Sequence, residues 1–145
     1  MVLVGALRCV GGVIVGRVSC GDSARALLLA HDAMAEIMCM HYLDPDDPPV
    51  FGVEAVENGI VRSWLDDVDD FHGWSAQPIQ DAYGFGYSEF GSWRRAVSVE
   101  WVQPANPAVV SATDQGVKRI TVTVSRDGEV LAELVQLRTD KYTVP

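Results

Sequence analysis

Hydrophobic positions change their rhythm twice along this chain. From Met1 to about Ser19 nearly every residue is Val, Leu, Gly, Ala or Ile, interrupted by Arg8 and Arg17. From Asp22 to Leu43 the apolar positions fall at three- and four-residue steps, Leu27, Ala30, Met34, Ile37 and His41, with Leu28, Ala35 and Met38 widening the stripe. Asp22, Arg25, Asp32 and Glu36 make the opposite face. Steps of this size predict an amphipathic helix. Ser19 or Asp22 is suited to cap its start. Asp22 and Arg25 can pair across one turn, and His41 suits a helix C-terminus as a dipole-compatible cap. Pro45, Pro48 and Pro49 forbid continuation.

From Trp93 the period falls to two. Val97, Val99 and Trp101 point one way, Ser98 and Glu100 the other. In Val117–Ser125 the residues Ile120, Val122 and Val124 oppose Thr121 and Thr123. Arg126-Asp127-Gly128-Glu129 carries the Asp-Gly hairpin signal. Val130–Leu137 then returns with Leu131, Val135 and Leu137 assigned to one face. Trp93–Val102 lies beside that hairpin after a Pro104–Gln115 loop. Its apolar face needs a cover, and the Asp22–Leu43 helix has the matching stripe.

Between these parts, Asp44–Ser92 holds no sustained period and is dense in Pro, Gly, Asp and Asn. So long an irregular connection is either functional or held by packing. Trp64, Phe71, Trp74, Tyr83, Phe85, Tyr87 and Phe90 supply apolar mass to pin it. The chain thus divides into 1–43, an apolar-to-amphipathic helix; 44–92, an irregular acidic and aromatic region; and 93–145, an antiparallel sheet. The fold class expected is α+β, a long N-terminal helix on a small antiparallel sheet.

The middle region also holds the run Asp66-Asp67-Val68-Asp69-Asp70-Phe71-His72-Gly73-Trp74. Four carboxylates in five residues repel one another unless they are solvated, with Asp side chains making turns, or neutralised by a cation. Hard cations such as Ca²⁺ take six to eight oxygen ligands, so Asp66, Asp67, Asp69 and Asp70 are the candidate calcium ligands. The EF-hand spacing is absent. Asp44, Asp46 and Asp47 read as helix-terminating turn chemistry.

With 145 residues the chain makes about one domain. Eleven basic against twenty acidic side chains give a net charge of −9, and no basic stripe occurs, so nucleic acid is a poor partner. Arg94 and Arg95 are adjacent on a strand and so point to opposite faces. Cys9, Cys20 and Cys39 are odd in number and too far apart along a helix to pair, which favours small hydrophobes on a packed helix. The first nineteen residues are short and glycine-rich for a membrane span, and Arg8 interrupts them. Gly5, Gly11, Gly12 and Gly16 weaken an isolated helix but permit close helix–helix approach. Either a helix packing against copies of itself or a buried N-terminal helix satisfies this pattern. His31 and His41 lie about 80° apart around a helix and roughly 15 Å along it, too far to share a metal. No His-Glu-x-x-His, Gly-x-Ser-x-Gly or Cys-x-x-Cys motif occurs, so the sequence favours a non-enzyme.

Several pieces together resemble a known family. Leu3-Val4-Gly5-Ala6-Leu7-Arg8 feeds Ala24-Arg25-Ala26-Leu27-Leu28-Leu29-Ala30 and Ala33-Met34-Ala35-Glu36-Ile37, followed by the 66–74 run and Lys118-Arg119-Ile120-Thr121-Val122-Thr123-Val124. In these the chain resembles type IV pilin-like proteins, most of all the minor pseudopilins of type II secretion systems. The family's cleavage motif, a Gly followed by a Phe-Thr-Leu-like run with a Glu five residues into the mature chain, is absent from these residues. By the resemblance, Met1 aligns inside the apolar helix beyond it. The resemblance implies a pilin-like fold, a long helix in the filament core and a sheet domain facing outward. It also implies partners among other pilin-like subunits and the inner membrane, with a periplasmic or extracellular filament as the end state. The expected function is then a structural subunit of a pilus-like or pseudopilus filament. Its assembly contacts would be Leu3, Leu7, Val10, Val13, Ile14 and Leu27. The other function open to the sequence is an acidic, calcium-stabilised extracellular binding module.

Overall fold

The computed structural model describes residues 2–45, 50–54, 57 and 61–140, and along 2–19 the course of the backbone alone. One helix, α1 (Val2–Met38), packs on an antiparallel sheet of five strands. The strands are β1 (Ser75–Ala76), β2 (Trp93–Gln103), β3 (Asn106–Val110), β4 (Val117–Arg126) and β5 (Glu129–Thr139). Their order is β1-β2-β4-β5, with β3 folded back on the end of β2. The molecule is therefore α+β.

The helix passes straight through Ser19 and Asp22, so neither caps it. It stops at Met38, short of the first proline, and two turn bonds close it, Cys39 N–H to Glu36 O (3.1 Å) and Met40 N–H to Ile37 O (3.0 Å). His41 is not a cap. It forms a parallel bridge with Asp67, donating its N–H to Asp66 O (3.3 Å) and accepting from Val68 N–H (3.0 Å). The chain leaves α1 directly into pairing with the acidic run.

The face of α1 against the sheet is Ala26, Ala30, Ala33, Met34 and Ile37, all buried. It is rotated from the sequence-predicted stripe, because Leu27 and Leu28 are 52% and 71% exposed. Alanine at the seam lets the helix backbone approach the sheet, whose Val97, Val99, Ile120, Val122 and Val124 fill the other side. Asp22, Asp32 and Glu36 lie along one edge of this stripe at 100° per residue. Each meets a basic side chain from below: Arg126, Arg95 and Arg62 respectively.

In the sheet, Asp127 (φ 50°) and Gly128 (φ 86°) both take positive φ, as the Asp-Gly signal predicts for a two-residue hairpin turn. The face of β5 differs from expectation. Ile120 pairs with Gln136, Val122 with Leu134 and Val124 with Ala132, so Ala132 and Leu134 face α1. A bulge between Val124 and Ser125 lets Leu131 join the core as well. Val135 and Leu137 lie on the outer face, 48% and 44% exposed. Apolar residues of both parities occur in β5, so alternation alone could not choose its face; the register did. The Pro104–Gln115 loop contains β3, whose Val110 pairs with Val102.

The middle region is pinned by fewer aromatics than expected. Phe71 and Trp74 are buried and Phe90 packs partly on the core, but Trp64, Tyr83, Phe85 and Tyr87 are exposed. The remaining anchorage is polar. Arg62 forks onto Glu36 through Nε and Nη2 (3.1–3.2 Å). Arg95 donates to Asp32 (3.2 Å) and to Leu29 O (3.1 Å). Both guanidiniums donate to Gln80 O and lie over Trp74, 4.8 and 5.8 Å from its ring centre. Arg94 is exposed where Arg95 is buried, as neighbours on a strand must be.

Candidate functional site

The 66–70 run folds by its own carboxylates. Asp67 Oδ1 accepts the N–H groups of Asp69 (2.6 Å) and Asp70 (3.3 Å). Asp70 Oδ2 accepts those of Asp66 (3.0 Å) and Asp67 (3.1 Å). Short Asp side chains that bond backbone two to four residues away are turn-makers, and here they build the single 3₁₀ turn Asp69–Phe71. The turn chemistry is as expected, whereas the solvation is not: Asp67, Asp69 and Asp70 are 0%, 3% and 1% exposed. Val68 and Phe71, apolar neighbours in the core cluster, draw the run inward.

Burial splits the four aspartates that the sequence groups together. Asp69 turns to Lys118: its Oδ1 accepts from Lys118 Nζ, and its Oδ2 accepts Gly52 N–H at 3.1 Å. Lys118 also donates to Tyr42 O and sits 4.4 Å from the centre of the Tyr42 ring. The Tyr42 hydroxyl donates to Asp114 Oδ1 (2.7 Å), and burial together with that carboxylate pushes the phenol well above its usual range. Asp69 is thus one half of a buried ion pair, its charge committed to a lysine.

Asp66, Asp67 and Asp70 form a second group, and Asp70 brings in two further carboxylates, Glu54 and Glu57. Carboxylate oxygens of Glu54, Glu57 and Asp70 lie within 4.8 Å of one another, and so do those of Asp66, Asp67 and Asp70. Asp70 belongs to both sets. Glu57 Oε2 also accepts the Glu54 N–H (3.2 Å). Asp67 Oδ2 and Asp70 Oδ1 are buried oxygens that meet no hydrogen-bond donor. The electrostatic consequence is large. Burial, then Asp69 and Asp70, push the Asp67 carboxyl from 3.8 to about 7. Burial, then Glu57 and Asp70, push Glu54 from 4.5 to about 8. Burial raises Glu57 as well. Such a set can hold protons near neutrality or take a hard cation.

A sequence signal for the two glutamates exists only in part. Glu54 and Glu57 stand at a three-residue step and Asp66 and Asp70 at a four-residue step, but nothing local tells that the two pairs converge.

Of the assembly residues, Leu27 is half exposed on α1, while the side chains of Leu3, Leu7, Val10, Val13 and Ile14 lie outside the described residues. Cys20 and Cys39 are exposed free thiols rather than packed hydrophobes, and Cys9 lies outside the described residues. Asp46 and Asp47 also lie outside them. His31 and His41 are exposed. His72 serves the fold, its Nδ1 accepting Val99 N–H at 3.2 Å. Among the described residues no helix is long and apolar enough to cross a membrane. No family model, curated protein or solved structure matches the chain.

Proposed function

We propose that this chain is a structural subunit of a pilus-like filament, of the type IV pilin or type II secretion pseudopilin class. The observation that carries this reading is apolar surface on α1 that the sheet does not cover. Among the described side chains, Ala26, Ala30, Ala33, Met34 and Ile37 are buried, while Leu27 and Leu28 are 52% and 71% exposed. The sequence from Met1 to Ser19 is mostly Val, Leu, Gly, Ala and Ile, interrupted by Arg8 and Arg17. An apolar helical sequence of that kind needs a cover, and its glycines favour another helix at close range. Leu27 and Leu28 offer that helix an apolar surface on the domain. In this reading the N-terminal helix rests in the inner membrane before assembly and in the filament core afterwards, with the sheet domain outward.

Co-expression with neighbouring pilin-like subunits, followed by cross-linking and size analysis in detergent, tests this. Hetero-oligomers are expected. Leu27→Glu with Leu28→Glu should abolish them while leaving the thermal unfolding of the domain nearly unchanged, because both positions are exposed. A chain that stays monomeric alone and with every such neighbour would sink the proposal.

A further inference from the structure

Lys118, Arg62 and Arg95, the buried basic side chains among the described residues, each neutralise a carboxylate outside one particular cluster. That cluster is Glu54, Glu57, Asp66, Asp67 and Asp70. We propose that these five residues bind a hard divalent cation, Ca²⁺ in preference to Mg²⁺. The proposal goes beyond filament assembly and does not depend on it.

Three observations converge. The first is placement: two sets of three carboxylate oxygens, each within 4.8 Å, share Asp70. Five carboxylates in one place suit calcium, which takes six to eight oxygen ligands, better than magnesium, which keeps several waters and takes one or two carboxylates. The second is the pair of orphaned oxygens. Asp67 and Asp70 are 0% and 1% exposed. Each uses one oxygen to fold the loop, and the other, Asp67 Oδ2 and Asp70 Oδ1, is buried at the cluster with no donor. A buried carboxylate oxygen without a partner is costly, and a cation supplies the missing partner for both. The third is donor chemistry. The set is all oxygen, with neither His nor Cys in either group, which favours calcium or magnesium over zinc or copper.

Binding would tie Glu54 and Glu57 to the 66–70 turn, and so fasten the segment after α1 onto the body of the domain. Carboxylates bind a cation only when ionised, so binding should weaken as pH falls.

The test uses the full chain, stripped with chelator, in thermal unfolding and isothermal titration with Ca²⁺ or Mg²⁺ alone. Millimolar Ca²⁺ should raise the melting temperature by several degrees and Mg²⁺ by less. Asp70→Asn combined with Glu54→Gln should abolish the response; asparagine still offers an oxygen to the Asp66 and Asp67 N–H groups, so the turn is kept. Glu57→Gln, at a half-buried position, should fold normally and weaken Ca²⁺ binding by about tenfold, since affinity follows ligand charge. Asp69→Asn should lower the melting temperature but keep the Ca²⁺ response. A wild-type chain indifferent to Ca²⁺ would overturn the site. So would a response that survives the double substitution, or one lost only with Asp69.

Discussion

Two groups of charge meet at one turn, and they follow different rules. On one side Asp69 meets Lys118, both under 5% exposed. On the other, buried Asp70 groups with buried Asp67 and exposed Asp66, and with half-buried Glu54 and Glu57. Both sides hold buried carboxylates, but only the first carries its own counter-charge. A buried pair recovers part of its desolvation cost through Coulomb attraction in a low dielectric. A buried like-charged set cannot, and resolves the conflict by taking up protons or a cation. Proximity in sequence says nothing about which rule applies, since Asp69 and Asp70 are adjacent and fall on different sides.

The sharpest way to break this contrast is to unbalance the balanced side. Asp69→Asn leaves Lys118 charged and buried, and should cost roughly 3–5 kcal/mol of unfolding free energy. Lys118→Met should cost about as much by stranding Asp69. Combining Lys118→Met with Asp69→Asn should recover a substantial part of either loss, because no lone charge remains. Urea unfolding of the three variants measures this. Strict additivity of the two single costs would show that shape, not charge balance, dominates the pair.

The unbalanced side should respond to pH, with a smaller effect and the opposite sense. In cation-free protein Asp67 titrates near 7 and Glu54 near 8, against ordinary values of 3.8 and 4.5. Between the ordinary and the raised values the folded chain binds protons that the unfolded chain has lost. Stability therefore falls as pH rises through 7 to 8, and is recovered on mild acidification. The melting temperature should be several degrees higher at pH 6.5 than at pH 8.5. Asp67→Asn should flatten that slope and cost little at pH 8.5, the reverse of Asp69→Asn. Saturating Ca²⁺ should flatten it too. A cation-free chain that becomes more stable with rising pH would refute the raised titrations.

Much of the fold was legible because it rests on local period. The helix, the β2–β4–β5 antiparallel order and the Asp127-Gly128 turn follow from spacing and turn chemistry that each segment carries alone. What escaped depends on contacts between segments. The rotation of α1 came from alanines at the seam, where small residues outcompete leucine for close approach to the sheet. The outward face of Val135 and Leu137 came from a register that Asp127-Gly128 and a bulge impose together. Of the candidate cation ligands, Asp66, Asp67 and Asp70 stood out as an acidic run. Glu54 and Glu57 join only through the chain reversal, and Asp69 leaves only because Lys118, far along in β4, reaches it.

The smallest effect concerns the clamps along the edge of α1, which grade from rim to interior. Arg126 donates to Asp22 at 2.6 Å but is 42% exposed. Arg95 and Arg62 are 1% and 3% exposed. An exposed pair is screened by water and salt and contributes about 0.2–1 kcal/mol. Arg126 also lies 5.9 Å from the centre of the Trp93 ring, so some packing is lost with its stem. Arg126→Ala should therefore cost less than about 1 kcal/mol at low salt, and the loss should shrink further in high salt. Arg95→Ala should cost several-fold more and show little salt dependence, since it empties a buried site beside Trp74 and removes the donor to Leu29 O and one of the two donors to Gln80 O. If the two substitutions proved equal, burial would not be what separates the clamps, and the distinction between balanced interior charge and solvated rim charge would fail at the helix as well as at the turn.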